Sequence, residues 1–235
     1  MPSPTSTRTS NPPDLSNSRF VSDKVLSIIR LVFAIITTGI IIWRIVGNKA
    51  IYFYYLTHWN WILNFFYFWT VFIVKRNCTS TQLLFSATNS ISWIVTIVYW
   101  LLLFNGNESP EGLASGIIQH TFNLIFPLVD LFLGTISPFW IQLYSPIAFS
   151  FLYMTGVIIV HLCFGLAWPY NFLVTINGAE DGISWGKSIG FCFGFWIVCA
   201  IFFALTMGLV RVREKLYEKS RRAGSEVRPV QMEQV

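Results

Sequence analysis

The sequence predicts an all-α, polytopic membrane protein of about six transmembrane helices, and three observations predict it. Of the 235 residues, 54% are hydrophobic and only 11% charged, with a mean hydropathy of +0.58, well outside the soluble range. The apolar residues fall in runs of twenty or more, the length that crosses a ~30 Å hydrocarbon core. The basic residues gather at the ends of those runs, where they orient a membrane protein, and no nucleic-acid motif accompanies the net charge of +5. Nucleic acid is therefore not expected as a partner.

Residues 1–22 are rich in Ser, Thr, Pro and Asn, with neither the apolar core nor the cleavage site of a signal peptide; a disordered polar tail is expected. Residues 23–212 form the expected transmembrane domain. Its first span runs from Val25 to Gly47 with Arg30 and Arg44 near its ends, where long side chains reach the interface. After a Gly47-Asn48-Lys49 turn, Ile51–Val74 crosses with no acidic or basic side chain and is stopped by Lys75-Arg76. Gln82–Phe104 is the third span. Residues 105–116, with Gly, Pro and two Glu, read as an exposed loop. Ile117–Ser137 is the fourth span and carries His120, Asn123, Pro127 and Asp130. A short aromatic connection, 138–146, leads to a fifth span ending at Trp168 with His161 near its end. The longest loop, 169–186, precedes a sixth span from Lys187 or Ser188 to Val210, and 213–235 is a basic tail.

Six spans place both termini on one side. That side collects Arg8, Arg19, Lys24, Lys75, Arg76 and the basic residues from Arg211 to Arg228, against Arg44, Lys49 and Lys187 on the other; both termini are expected in the cytosol. Cys163, Cys192 and Cys199 lie in apolar runs, Cys78 stands alone, and no CxxC spacing occurs. Neither structural disulfides nor a metal site are expected, and no cofactor.

The chemistry-bearing residues concentrate in the second and fourth spans. Thr57, Trp61 and Asn64 share one helical stripe at about 100° per residue, and His58 lies a quarter-turn away. Counted from the span ends, Thr57, His120 and His161 sit roughly 5–10 Å below one surface. Thr57 and His120 are the candidate catalytic pair, because a Thr hydroxyl becomes a nucleophile when a histidine takes its proton. Asn64 and Asn123 are candidate donors to an ester oxyanion, Arg44 a candidate partner for a lipid carboxylate, and His161 a further lining residue. Asp130 lies about 15 Å deeper than His120, at the depth of Arg30, and the two are expected to form a buried ion pair. Three competing readings apply. An intramembrane Thr commonly bonds its own helix four residues back, intramembrane histidines also bridge helices, and facing histidines can ligate haem, although no haem signature is present. The Trp and Tyr clusters read as interfacial belts.

The stretches YYLTHWNWILNFFYF and HTFNLIFPLVDLFL resemble the androgen-induced-gene and rolling-stone group of small multi-pass proteins, and HLCFGLAWPY resembles a His-to-Trp-Pro segment of the same group more loosely. The resemblance implies an integral-membrane threonine hydrolase of the endoplasmic reticulum, cleaving fatty acid esters of hydroxy fatty acids. Thr57 is then the nucleophile, His120 its partner, and membrane lipids and the ester the molecules it meets. Rolling-stone-like members are better regarded as interaction or fusion proteins, and His58-Trp59-Asn60 is closer to that side. A non-enzymatic membrane protein with a lipid- or protein-interaction role is the alternative, and the sequence identifies no protein partner.

Overall fold

The fold is an all-α bundle of the multi-pass membrane type. The computed structural model describes residues 18, 20–48, 53–104, 106–170 and 185–226. The expected disordered tail, most of the 169–186 loop and the final residues 227–235 lie wholly or largely outside the described residues; of the expected Gly47-Asn48-Lys49 turn, Gly47 and Asn48 are instead the end of the first helix and Lys49 lies outside the described residues. Its helices are α1 (Asp23–Asn48), α2 (Leu56–Val74), α3 (Thr79–Val98), α4 (Pro110–Gly116), α5 (Phe122–Leu133), α6 (Tyr144–Phe164) and α7 (Trp185–Glu226). A π-helical turn, Tyr99–Leu103, extends α3, and a second, Ile117–Thr121, fuses α4 to α5 into one rod.

Among the described residues, five helical stretches are long and apolar enough to cross a membrane: Asp23–Gly47, Thr79–Leu103, Pro110–Leu133, Trp140–Phe164 and Ile189–Arg222. The sixth long helix, α2, carries Thr57, His58, Asn60 and Asn64, which lower its hydropathy, and all four are buried. Many apolar side chains of α1 and α7 instead turn outward: Ile28, Ile35, Phe193 and Ile197 are all more than half exposed. Lipid is as apolar as a leucine side chain, so the bundle gains nothing by hiding these and is held by close packing and buried hydrogen bonds.

Several boundaries differ from those expected. The α-helix of the second span begins at Leu56, after a short 3-10 stretch at 53–54, which puts Thr57 on the first turn of α2. The expected 105–116 loop is helical from Pro110, because Ser109 caps the helix by accepting the Gly112 N–H at 3.2 Å and Pro110 suits the first turn. His120 thus lies ten residues into the rod. The sixth span does not give way to a separate tail at residue 213: α7 continues to Glu226.

Both ends of the described chain meet on one side of the bundle. The Ser18 hydroxyl donates to the Leu133 carbonyl at 2.7 Å, and the rings of Phe20 and Tyr217 pack edge to face at 6.2 Å. Towards that side Arg30 Nε donates to Asp130 Oδ1 at 2.6 Å and Arg30 Nη2 to Oδ2 at 3.3 Å, with Tyr67 donating to the same carboxylate. Gly134 leaves the room: a Cβ there would sit 2.8 Å from Arg30 Nη2. Arg213, fully buried on α7, donates to the Leu131 and Ile136 carbonyls at 2.8 and 3.0 Å, satisfying the end of α5.

Candidate active site

The opposite end of the bundle brings the first turn of α2 against the π turn of the α4–α5 rod. The first N–H groups of a helix have no partner within it, and Tyr55, at the N-cap of α2, offers no side-chain cap. The Leu56 N–H donates to the Tyr170 hydroxyl at 3.0 Å, and those of His58 and Trp59 to the Tyr55 carbonyl at 3.0 and 3.4 Å. That leaves the Thr57 N–H as the one among these four without an acceptor among the described residues. It stands beside the Thr57 hydroxyl at the positive end of the helix dipole. The Phe53 carbonyl, four residues before Thr57, accepts the Trp59 indole N–H at 2.7 Å. Among the described residues, no hydrogen bond ties Thr57 Oγ1 to its own helix.

Tyr170 reaches this point because the chain reverses after α6. Gly165 ends that helix at φ 63°, a left-handed conformation that glycine adopts without a steric penalty. His161 braces the reversal: its Nδ1–H donates to the Leu166 carbonyl at 2.7 Å, and its ring stacks on Trp168 at 4.2 Å. Tyr54 donates to the same carbonyl at 3.3 Å, and Tyr153 to the Tyr54 carbonyl at 3.2 Å. Burial pushes the Tyr170 hydroxyl up to about 12, against the Leu56 N–H and the Tyr153 and Thr57 hydroxyls, which favour ionisation. It is a neutral hydrogen-bonding group at physiological pH.

His120 sits on the π turn Ile117–Thr121. Such turns expose carbonyls and recur at functional sites, and here neighbouring helices satisfy two of them. Thr96 on α3 donates to the His120 carbonyl at 2.6 Å, and the Trp61 indole on α2 to that of Gln119 at 3.2 Å. The imidazole lies flat on Tyr99, at 3.6 Å and 4°, and the Tyr99 hydroxyl donates to Glu108 at 3.1 Å. Gly116 fixes this stack, since a Cβ there would fall 2.2 Å from the Tyr99 hydroxyl. Nδ1 of His120 has no hydrogen-bond partner among the described residues.

Two cavities meet at Thr57, His120, Tyr170 and Leu103. One, of about 330 Å³, is lined almost wholly by apolar side chains of α3, α6 and α7, among them Ile94, Val98, Met154 and Val198. The other, of about 460 Å³, is polar and is lined by Arg44, Tyr55, His58, Tyr99 and Gln119. A molecule with one greasy and one polar part fits this pair, with its junction at Thr57 and His120.

The structure therefore brings Thr57, His120 and Arg44 to one site and leaves the other candidates elsewhere. Asn64 and Asn123 line neither cavity. They are fully buried between α2, α3 and α5, where Asn64 Nδ2 donates to the Asn60 carbonyl at 3.0 Å and to Asn123 Oδ1 at 2.7 Å, and Asn60 Nδ2 donates to Asn123 Oδ1 at 2.9 Å and to Ser92 at 3.0 Å. Both donors of Asn64 are spent inside the bundle, so it has none for an oxyanion. His161 shapes the Tyr170 loop and does not line the site. His58, expected on a separate face, lines the polar cavity with Thr57, because the first turn of a helix opens towards its end as well as its sides. Sequence reasoning missed Tyr170, Tyr99 and Gln119. Gln119 adjoins His120 and was within reach of a motif search, whereas the two tyrosines are supplied by a loop and a π turn that carry no periodic signal. Among the described residues, no group of three or more His, Cys, Asp or Glu side chains is placed to hold a metal ion. Comparison of the chain with protein-family models, with curated proteins and with solved structures gives no match.

Proposed function

We propose that the protein is an intramembrane lipid-ester hydrolase of the endoplasmic reticulum membrane, of the androgen-induced-gene type, with Thr57 as nucleophile and His120 as base. The observation that carries this reading is that Thr57 and His120 line both the apolar and the polar cavity. An ester places its acyl chain in the first and its polar end, facing Arg44, in the second. Esters of hydroxy fatty acids, which bear a free carboxylate beyond the ester, are the substrate class we assign.

In this mechanism His120 accepts the Thr57 proton as Oγ1 attacks the ester carbonyl. The tetrahedral oxyanion receives the Thr57 N–H, at a helix N-terminus where negative charge is favoured. Collapse expels the alkoxide, which takes the proton from His120, leaving an acyl group on Thr57. Water, deprotonated by His120, then releases the fatty acid and restores the hydroxyl. Stacking on Tyr99 holds the imidazole plane, since no carboxylate orients it among the described residues. That feature also favours a second reading, a lipid-binding protein that performs no chemistry at the same site.

The two readings separate on turnover. Thr57→Ala and His120→Ala each abolish hydrolysis of a long-chain hydroxy fatty acid ester by purified protein. The double variant is no worse than either, because the two act as one unit. Thr57→Ser keeps part of the rate. Folded wild-type protein that binds the ester and never cleaves it refutes the hydrolase and leaves the lipid-binding protein.

A further inference from the structure

The apolar cavity has a gap in one wall. Its α7 side is made by Phe191, Gly194, Phe195 and Val198; Gly194 is exposed, and at about 100° per residue it falls on the helix between the cavity-lining Phe191 and Val198 and the outward Phe193 and Ile197. A Cβ built on Gly194 meets no atom of the described residues within 4 Å. Its helix neighbours Phe193 and Ile197 are 57% and 62% exposed, as side chains that face lipid are. No side chain therefore stands at Gly194 where the cavity-lining face of α7 meets its outward face.

The cavity's dimensions say what passes through it. From Leu103 at its upper end to Ile94 at its lower it extends roughly 13 Å along α3, taking 1.5 Å per residue. One leaflet offers about 15 Å of hydrocarbon, half the ~30 Å core. Its polar groups, Thr57, His120 and Tyr170, come from the end where α2 begins and the reversal after α6 arrives, whereas Ile94, Met154 and Val198 lie deeper. A chain with a polar head is thereby held in one orientation, head towards Thr57.

We propose that this cavity is a binding site for a single acyl chain, which enters sideways from the bilayer through the gap at Gly194. The inference rests on the ester-site reading only for what happens at the chain's polar end. Gly190 and Gly194 are also one turn apart, a spacing at which two membrane helices pack closely. The cavity directly behind Gly194 is what favours a lipid over a second helix.

The test uses full-length protein in lipid nanodiscs and a long-chain fatty acid with a terminal diazirine. Photolabel is expected on the peptides containing Met154 and Val198, and unlabelled oleate competes for it. Gly194→Leu plugs the gap; losing the burial of even two methylenes lowers labelling by about tenfold. Gly194→Ala, whose methyl enters open space, keeps most of it. Gly194→Cys, folded first and then alkylated with a bulky maleimide, loses labelling only after alkylation, with alkylated wild type as the control, so a folding defect does not imitate the result. Wild-type label confined to Phe193 and Ile197, or undiminished chamber label in Gly194→Leu and in alkylated Gly194→Cys, overturns the proposal. A change from dimer to monomer in Gly194→Leu with chamber label intact also overturns it and marks a helix-packing face. Chamber labelling without ester turnover refutes the hydrolase and upholds the chain site. Long-chain turnover at the wild-type rate by Gly194→Leu upholds the hydrolase and refutes the entry route.

Discussion

Arg30, Asp130 and Tyr67 form a hydrogen-bonded unit in the bundle interior, and dismantling it in order yields free energies of a definite pattern. The guanidinium and carboxylate are 2% and 1% exposed and meet at 2.6 Å. Arg30→Met leaves Asp130 with the Tyr67 hydroxyl alone, and Asp130→Leu leaves a buried guanidinium; each costs about 3–5 kcal/mol, because one charge loses its partner. Removing both takes the acceptor from the Tyr67 hydroxyl and leaves no unpaired charge of the pair, at about 1–3 kcal/mol. The double variant is thus more stable than either single one, with a coupling of at least ~3 kcal/mol. Adding Tyr67→Phe removes the orphaned hydroxyl and brings the triple variant to within about 1 kcal/mol of wild type. Denaturant unfolding in mild detergent, followed by tryptophan fluorescence, measures all of these. A double variant as unstable as the sum of the singles refutes the reasoning.

Gly116→Ala drives a methyl into Tyr99 and is expected to cost about 1–3 kcal/mol and to lower turnover by displacing His120; Tyr99→Phe added to it restores part of the stability, since the nearest atom is gone. Cys78 lies just before α3 on the aqueous side of its span, and its hydrogen bond from the Thr81 backbone N–H holds the thiol below its ordinary range. Iodoacetamide is expected to modify it fastest of the four cysteines, with a rate that rises with pH to a midpoint below that of the same thiol in denaturant; equal midpoints contradict the structure. Orientation is read by glycosylation. Asn107-Glu108-Ser109 lies on the side of Thr57, Asn77-Cys78-Thr79 on the side of the termini, and a glycosidase-sensitive shift is expected to disappear with Asn107→Gln and not with Asn77→Gln.

The fold class was legible because a bilayer demands long apolar runs whatever the chain does inside them, and those runs are visible one residue at a time. The Arg30–Asp130 contact was legible for the same reason, as two charges at one depth have few ways to be tolerated. Helix ends were not. Pro110 and Ser109 look like loop residues and are instead a helix start, and Phe53–Tyr55, just ahead of α2, is as apolar as the helix that follows it. Arg213 is the clearest failure: in sequence it is one of a cluster of solvated basic residues, and only tertiary contact shows its fork closing the carbonyls at the end of α5. Asn64 and Asn123 misled for a related reason. A buried amide next to a candidate site reads as a donor until its surroundings are known, and here both donors of Asn64 and the side-chain oxygen of Asn123 are engaged inside the bundle, away from both cavities.

The π turns have a consequence for how the chain tolerates changes in length. A π turn holds one residue more than the α-helical turn it replaces, so the helix before it is out of phase with the helix after it by one residue, about 100°. In the α4–α5 rod the offset falls between Gly116, which abuts Tyr99, and Asp130, which holds Arg30. Deleting a single residue within Ile117–Thr121 restores a regular helix and rotates the upper rod against the lower. With Asp130 kept on Arg30, Gly116 swings off Tyr99. A lost residue that a loop absorbs unnoticed is here converted into a turn of the whole segment, so the number of residues in this stretch is constrained independently of which residues they are.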